Sequence, residues 1–271
     1  MKPRLLAGTL AAVAAMAPGT TGAQGLATST LSRSAASTED GSMFTVPVGG
    51  GIGIPASATE STAGSGLIGL QYEKADRYFV SALFSLGTSQ VLSGSPSDFG
   101  AALLNPSTQG LGFSAAAGRS TMRGGVLLGL AARGGVNATK WRAKADGTAT
   151  TTVNGGVAFL TLSGQIGTTT LPWRAGDSNT FKFTLDAGYT MRALVDDLAQ
   201  KSSLPFRSDR GVLGVPDTAF RGFELSFLVN LNDVQPFVRL DRFMAARDVS
   251  GFSGIQVTIG VNALAPLFKS R

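Results

Sequence analysis

From Thr180 to Met191 the chain alternates strictly: Phe181, Phe183, Leu185, Ala187, Tyr189 and Met191 are apolar, and the residues between them are polar or Gly. A period of two places the first set on one face of a strand and the second on the other. The same pattern recurs. Phe223, Leu225, Phe227, Val229 and Leu231 alternate with Gly222, Glu224, Ser226 and Asn230, with Leu228 as an apolar intruder. Ile255, Val257, Ile259 and Val261 alternate with Gln256, Thr258, Gly260 and Asn262. Leu111, Phe113, Ala115 and Ala117 form one face, Tyr78, Val80, Ala82, Phe84 and Leu86 another, and Met122, Val126, Leu128, Leu130 and Ala132 a third. Phe44, Val46, Val48, Ile52 and Ile54 give a first strand that contains Pro47. The pattern predicts ten strands (eight to twelve being compatible with it), at 43–54, 66–74, 78–88, 109–118, 122–135, 153–166, 178–191, 219–230, 236–246 and 253–262.

The connections alternate in length. Ala75-Asp76-Arg77, Arg119-Ser120-Thr121 and the turn around Asn232-Asp233 are short, whereas 55–65, 89–108, 136–152 and 192–218 are long and rich in Ser, Gly, Thr, Pro and Asp. Two connections depart from this order: Gly167 to Asp177 is long for its side, and Arg247 to Gly251 is short for its side. A soluble β-sandwich or jelly roll also alternates. Its solvated face carries many Lys and Glu, however, and its strands run about 5–6 residues. Here the polar faces are mostly Gly, Ser, Thr and Asn, and the strands approach the roughly 9–11 residues that cross a bilayer at a tilt. The expected fold is all-β: a closed up-and-down antiparallel transmembrane β-barrel.

The first residues read differently. Lys2 and Arg4 precede an apolar run from Leu5 to Ala17, and Thr21-Gly22-Ala23 is a small-residue cleavage site. That run is shorter than the ~20 residues of a spanning helix, so it reads as a secretory signal peptide cut after Ala23. The expected division is 1–23 signal peptide, 24–42 flexible N-terminal segment and 43–271 barrel.

Composition restricts the chemistry. Among 271 residues there is no Cys and no His, and charged residues make up 15%. Disulfides, thiolate metal sites, cysteine nucleophiles and a Ser–His–Asp triad are therefore unavailable. The formal charge of +6 is scattered, without a basic cluster for nucleic acid. Gly49-Gly50-Gly51-Ile52-Gly53 lacks the Lys-Ser/Thr and the helix of a phosphate loop.

The layout resembles that of the small bacterial outer-membrane β-barrel proteins, in the leader Met1–Ala23, the strands Thr180–Met191 and Phe223–Leu231, the turn Leu231–Gln235 and the terminal strand Gly254–Asn262. The resemblance implies residence in the bacterial outer membrane, contact with its lipids, and insertion by the barrel-assembly machinery. Members usually end on an aromatic residue that assists assembly. Here Phe268 is the last aromatic, followed by Lys269-Ser270-Arg271 and preceded by Pro266.

With the polar face inward, the lumen would hold Glu73, Arg123, Arg133, Lys182, Asp186, Arg192, Glu224, Arg239 and Asp241. These form either a charged constriction or a structural ion-pair network. Ten strands lie nearer the side-chain-filled eight than the open sixteen, which favours the network. The ninth strand sets Arg242 on the opposite, lipid-facing side. Tyr72, Tyr78, Tyr189, Trp141 and Trp173 are candidates for interfacial aromatics. Asp196-Asp197 is a carboxylate pair in the longest loop and reads as solvated. The expected function is an integral outer-membrane barrel without enzymatic activity, catalytic residues, metal or cofactor. Its long loops would serve surface contact or envelope integrity toward a ligand the sequence leaves unspecified. The alternative is a narrow passive channel for ions or small polar solutes.

Overall fold

The computed structural model describes residues 42–55, 63–74, 78–87, 91–93, 111–144, 150–168, 171–172, 180–196, 207–208, 211–212, 219–231, 234–244 and 254–270. The expected signal peptide, 1–23, and all but the last residue of the expected N-terminal segment, 24–42, lie outside them. Ten long strands form the sheet: β1 (Ser42–Pro55), β2 (Ala63–Lys74), β3 (Tyr78–Gly87), β4 (Leu111–Arg123), β5 (Val126–Lys144), β6 (Thr150–Thr168), β7 (Thr180–Asp196), β8 (Ala219–Leu231), β9 (Val234–Met244) and β10 (Ile255–Ser270). Each pairs antiparallel with the next, and β1 pairs with β10, so the sheet closes into a ten-strand barrel, with no second layer packed on it among the described residues. Residues 91–93 run parallel to β5, 171–172 pair with β7, and 207–208 pair with 211–212.

Closure satisfies the backbone groups that an open edge would leave bare, the condition for spanning lipid with strands. Followed around the barrel from β1 through β10, the register returns to β1 displaced by roughly a dozen residues toward the loop end, giving a strand tilt of about 40° and a backbone radius of roughly 10 Å. A line of paired residues therefore climbs toward the loop end by roughly 3 Å per strand. So narrow a tube is filled by its own side chains.

The alternation sorts the faces as the sequence pattern requires. On β7, Phe183, Leu185 and Met191 are exposed outside, while Lys182, Thr184, Asp186, Thr190 and Arg192 are buried inside. On β8, Phe223, Leu225 and Phe227 face out, and the intruder Leu228 packs inward against Phe237. Small apolar clusters join it in the lumen, Phe79 with Ala116 and Ala131, and Leu67 with Leu83. The larger apolar surface is on the outside, opposite to a sandwich core.

Several boundaries differ from the pattern's expectation. The turn between β4 and β5 lies at Gly124-Gly125, with φ of 57° and 80°, and Arg119-Ser120-Thr121 belongs to β4. Two successive left-handed residues make the two-residue hairpin turn whose twist matches the flanking strands, and Gly adopts them without Cβ strain. Replacing both with Val should cost about 1–2 kcal/mol per residue and slow refolding into vesicles, read by the fraction of heat-resistant barrel on a gel. Strands β5 and β7 continue well past 135 and 191, to Lys144 and Asp196. Strand β10 runs to Ser270: Phe268 pairs with Phe44 and Pro266 with Thr45, the register shift falling between Phe44 and Thr45. A bulge of this kind admits a proline that a regular ladder excludes. Pro47 is buried in β1 and pairs with Leu264, while the ladder to β2 skips Val46 and Pro47.

Candidate functional site: the lumen and the outer wall

Inside the loop-end half of the barrel the longest polar side chains meet. Arg133 on β5 reaches across the lumen to donate to Glu224 Oε2 on β8 at 2.6 Å, and Arg192 on β7 donates to Glu224 Oε1 at 2.9 Å. Glu224 thus holds one guanidinium on each carboxylate oxygen. Arg192 also lies 3.9 Å from Asp241 Oδ1, while Arg239 Nε donates to Asp241 Oδ2 at 2.8 Å. The Arg192 guanidinium sits over the Phe243 ring at 4.3 Å, and that of Arg133 lies 5.4 Å from the Phe159 ring. All five charged groups are buried. Charges removed from water are tolerable only when paired in this way, because an isolated one costs several kcal/mol.

Nearer the turn end, Asp186 accepts from Gln165 Nε2 at 2.9 Å and from Ser163 Oγ at 3.4 Å, whereas Thr161, the ladder partner of Arg133, donates to Thr190 at 3.0 Å at the level of the ion pairs. Glu73 and Lys182 are buried as well. A further strip carries amide and hydroxyl groups that bond nothing among the described residues: Thr45, Asn230, Gln256, Thr258 and Asn262. Buried groups of this kind are satisfied by ordered water where there is room for it. Selection by charge alone passed over Thr190, Asn230, Gln256, Thr258 and Asn262, although the alternation sets them on the polar face; Gln165 lies in a strand whose faces the alternation leaves unassigned.

Of the nine sequence candidates, Arg123 is a correction. It is exposed beside the Gly124-Gly125 turn. The expectation had phased it with β5, whereas it ends β4, and crossing the turn inverts the parity. The remaining eight line the interior.

The outer wall has its own order. At the turn end Phe44, Tyr72 and Tyr78 form a ring cluster, with centroids 4.8 Å and 5.9 Å apart, and Phe181, Phe183 and Phe227 form another. Toward the loop end Tyr189 meets Phe223 edge-on at 5.6 Å, and Phe84 meets Phe113 at 5.5 Å. Trp141 lies in β5 but its side chain is outside the described set; Trp173 and Asp197 are outside it altogether. Asp196 closes β7, paired with Gly155, instead of lying in a loop. Among described side chains, every outward charge is a cation: Lys74, Arg119 and Arg123 toward the turn end, Arg221 and Arg242 toward the loop end. The described carboxylates Glu73, Asp186, Glu224 and Asp241 are all inside. The two outer cationic levels stand roughly 20–30 Å apart along the barrel axis, which brackets the height of a lipid-facing apolar band.

This construction defines the class, a small outer-membrane-type β-barrel. No family model matches the chain, and no curated protein sequence does. Similar solved structures are LpxR from Salmonella typhimurium (10% identity, 83% of this chain and 84% of that one, TM-score 0.40) and the beta domain of the Bordetella autotransporter BrkA (11%, 83% and 99%, 0.40). The NanC porin is also similar (10%, 82% and 98%, TM-score 0.33). The expectation that the chain lacks enzymatic activity is corrected here. LpxR is an enzyme, and a fold by itself gives no ground for excluding catalysis.

Proposed function

We propose that the chain is an integral protein of the bacterial outer membrane, with a lumen closed by its own side chains and a working surface made by the loop-end connections, which serve surface contact or envelope integrity. The carrying observation is the Arg133–Glu224–Arg192–Asp241–Arg239 network, which joins three adjacent strands to β5 across a tube of roughly 10 Å backbone radius. A lumen crossed by ion pairs acts as a strut. It leaves the long connections at 88–110 and 197–218 as the parts free to vary in chemistry.

Purified protein reconstituted in planar bilayers should give no stepwise conductance, while a gel shift between heated and unheated samples reports the folded barrel. Unitary steps that change size in Arg239→Ala would replace this reading with the narrow channel.

A further inference from the structure

On the outside of β4–β7 the wall is indented by a groove of about 770 Å³. Arg119 and Thr121 stand at its turn-end side, Leu130 and Leu185 are walls, and Gly164 and Ala187 supply the floor. The floor exists because two small residues sit among large ones: a Cβ added at Gly164 would meet only Leu130 Cδ2, at 4.0 Å. Arg119, Leu130, Gly164 and Ala187 are successive partners in the ladder, so the groove climbs from Arg119 toward the middle of the apolar band.

Arg119 is the second observation. It is exposed on the lipid side, next to Tyr78 in the ladder, and makes no ion pair with any described residue. Arg119 stands four residues further into the wall than Arg123, where an outward cation costs more than at the edge unless it meets an anion, and a guanidinium with a nearby hydroxyl matches the oxygen fork of a phosphate. No described carboxylate faces outward to serve instead.

We infer that this groove holds one phospholipid of the turn-side leaflet, its phosphate on Arg119 and Thr121 and one acyl chain lying over Gly164 and Ala187. The inference rests on the membrane placement proposed above. Charge complementarity selects the headgroup, and the ascent of the groove from Arg119 gives the chain its direction.

Native mass spectrometry of the full mature chain in mild detergent, titrated with dioleoylphosphatidylglycerol, tests it. Wild type should keep one lipid per barrel. Arg119→Gln removes the phosphate partner and Gly164→Leu fills the floor, and each should lower retention at least tenfold; Lys74→Gln, outside the groove, should leave it unchanged. Dioleoylglycerol, with the same chains and no phosphate, should be retained no better by wild type than by Arg119→Gln. Equal retention in wild type and both groove variants would overturn the site, as would equal retention of the phosphate-free lipid by wild type. The heat-modifiable gel shift is read in parallel. Its absence in wild type indicts the membrane barrel itself, whereas its presence with unselective retention indicts only the groove.

Discussion

Glu224→Ala should lower the unfolding free energy by about 3–5 kcal/mol, the cost of stripping a buried ion network of its central acid. The carboxylate receives Arg133 on one oxygen and Arg192 on the other, and all three groups are buried. Without it, Arg192 keeps Asp241 only at 3.9 Å, and two cations face each other across a narrow lumen of low dielectric. Urea unfolding from lipid vesicles, followed by tryptophan fluorescence, reads the shift in midpoint. The control is the triple variant Arg133→Met, Arg192→Met, Glu224→Leu. Exchanging a complete buried network for apolar side chains of similar volume is often neutral or stabilising, so the triple should regain most of the loss. A triple as unstable as the single variant would mean that the lumen requires these groups for something other than mutual compensation.

Ile68→Arg should destabilise by about 2–4 kcal/mol in vesicles, the cost of a cation near the middle of a lipid-facing wall. Ile68 lies at the centre of β2, faces outward and is 57% exposed. On a soluble protein, exchanging so exposed an apolar side chain for Arg changes stability by about 0.5 kcal/mol or less. The same substitution at Lys74, Lys74→Arg at the turn-end edge, should be silent. A silent Ile68→Arg would show that this wall faces water, and the placement in a bilayer would fall with it.

The two predictions probe opposite faces of one sheet, and those faces were legible to different degrees. The outward face could be read directly. Phe183, Leu185 and Met191 or Phe223, Leu225 and Phe227 need only the two-residue period, a local property of the backbone. The inward candidates on β2, β5, β7, β8 and β9 came from the same parity. Arg123 shows where local reading stops: it lies one residue before a turn whose position the alternation does not mark, and a turn shifted by a few residues reverses which face the flanking charges take. The ends of β5, β7 and β10 were missed for a related reason. Lys140, Arg142, Asp196 and Pro266 read as loop, yet each lies in a strand that has a neighbour to pair with.

By itself, then, the order of residues determined the period, the approximate strand number and the polarity of each face, because these depend on neighbours two positions apart along the chain. Only the closed sheet decided that Arg133 meets Glu224 ninety-one positions away, that Glu224 is shared with Arg192, and that Arg119, Gly164 and Ala187 line one outer groove. Those encounters depend on register and tilt, which are set by how all ten strands close together and are written in no single segment.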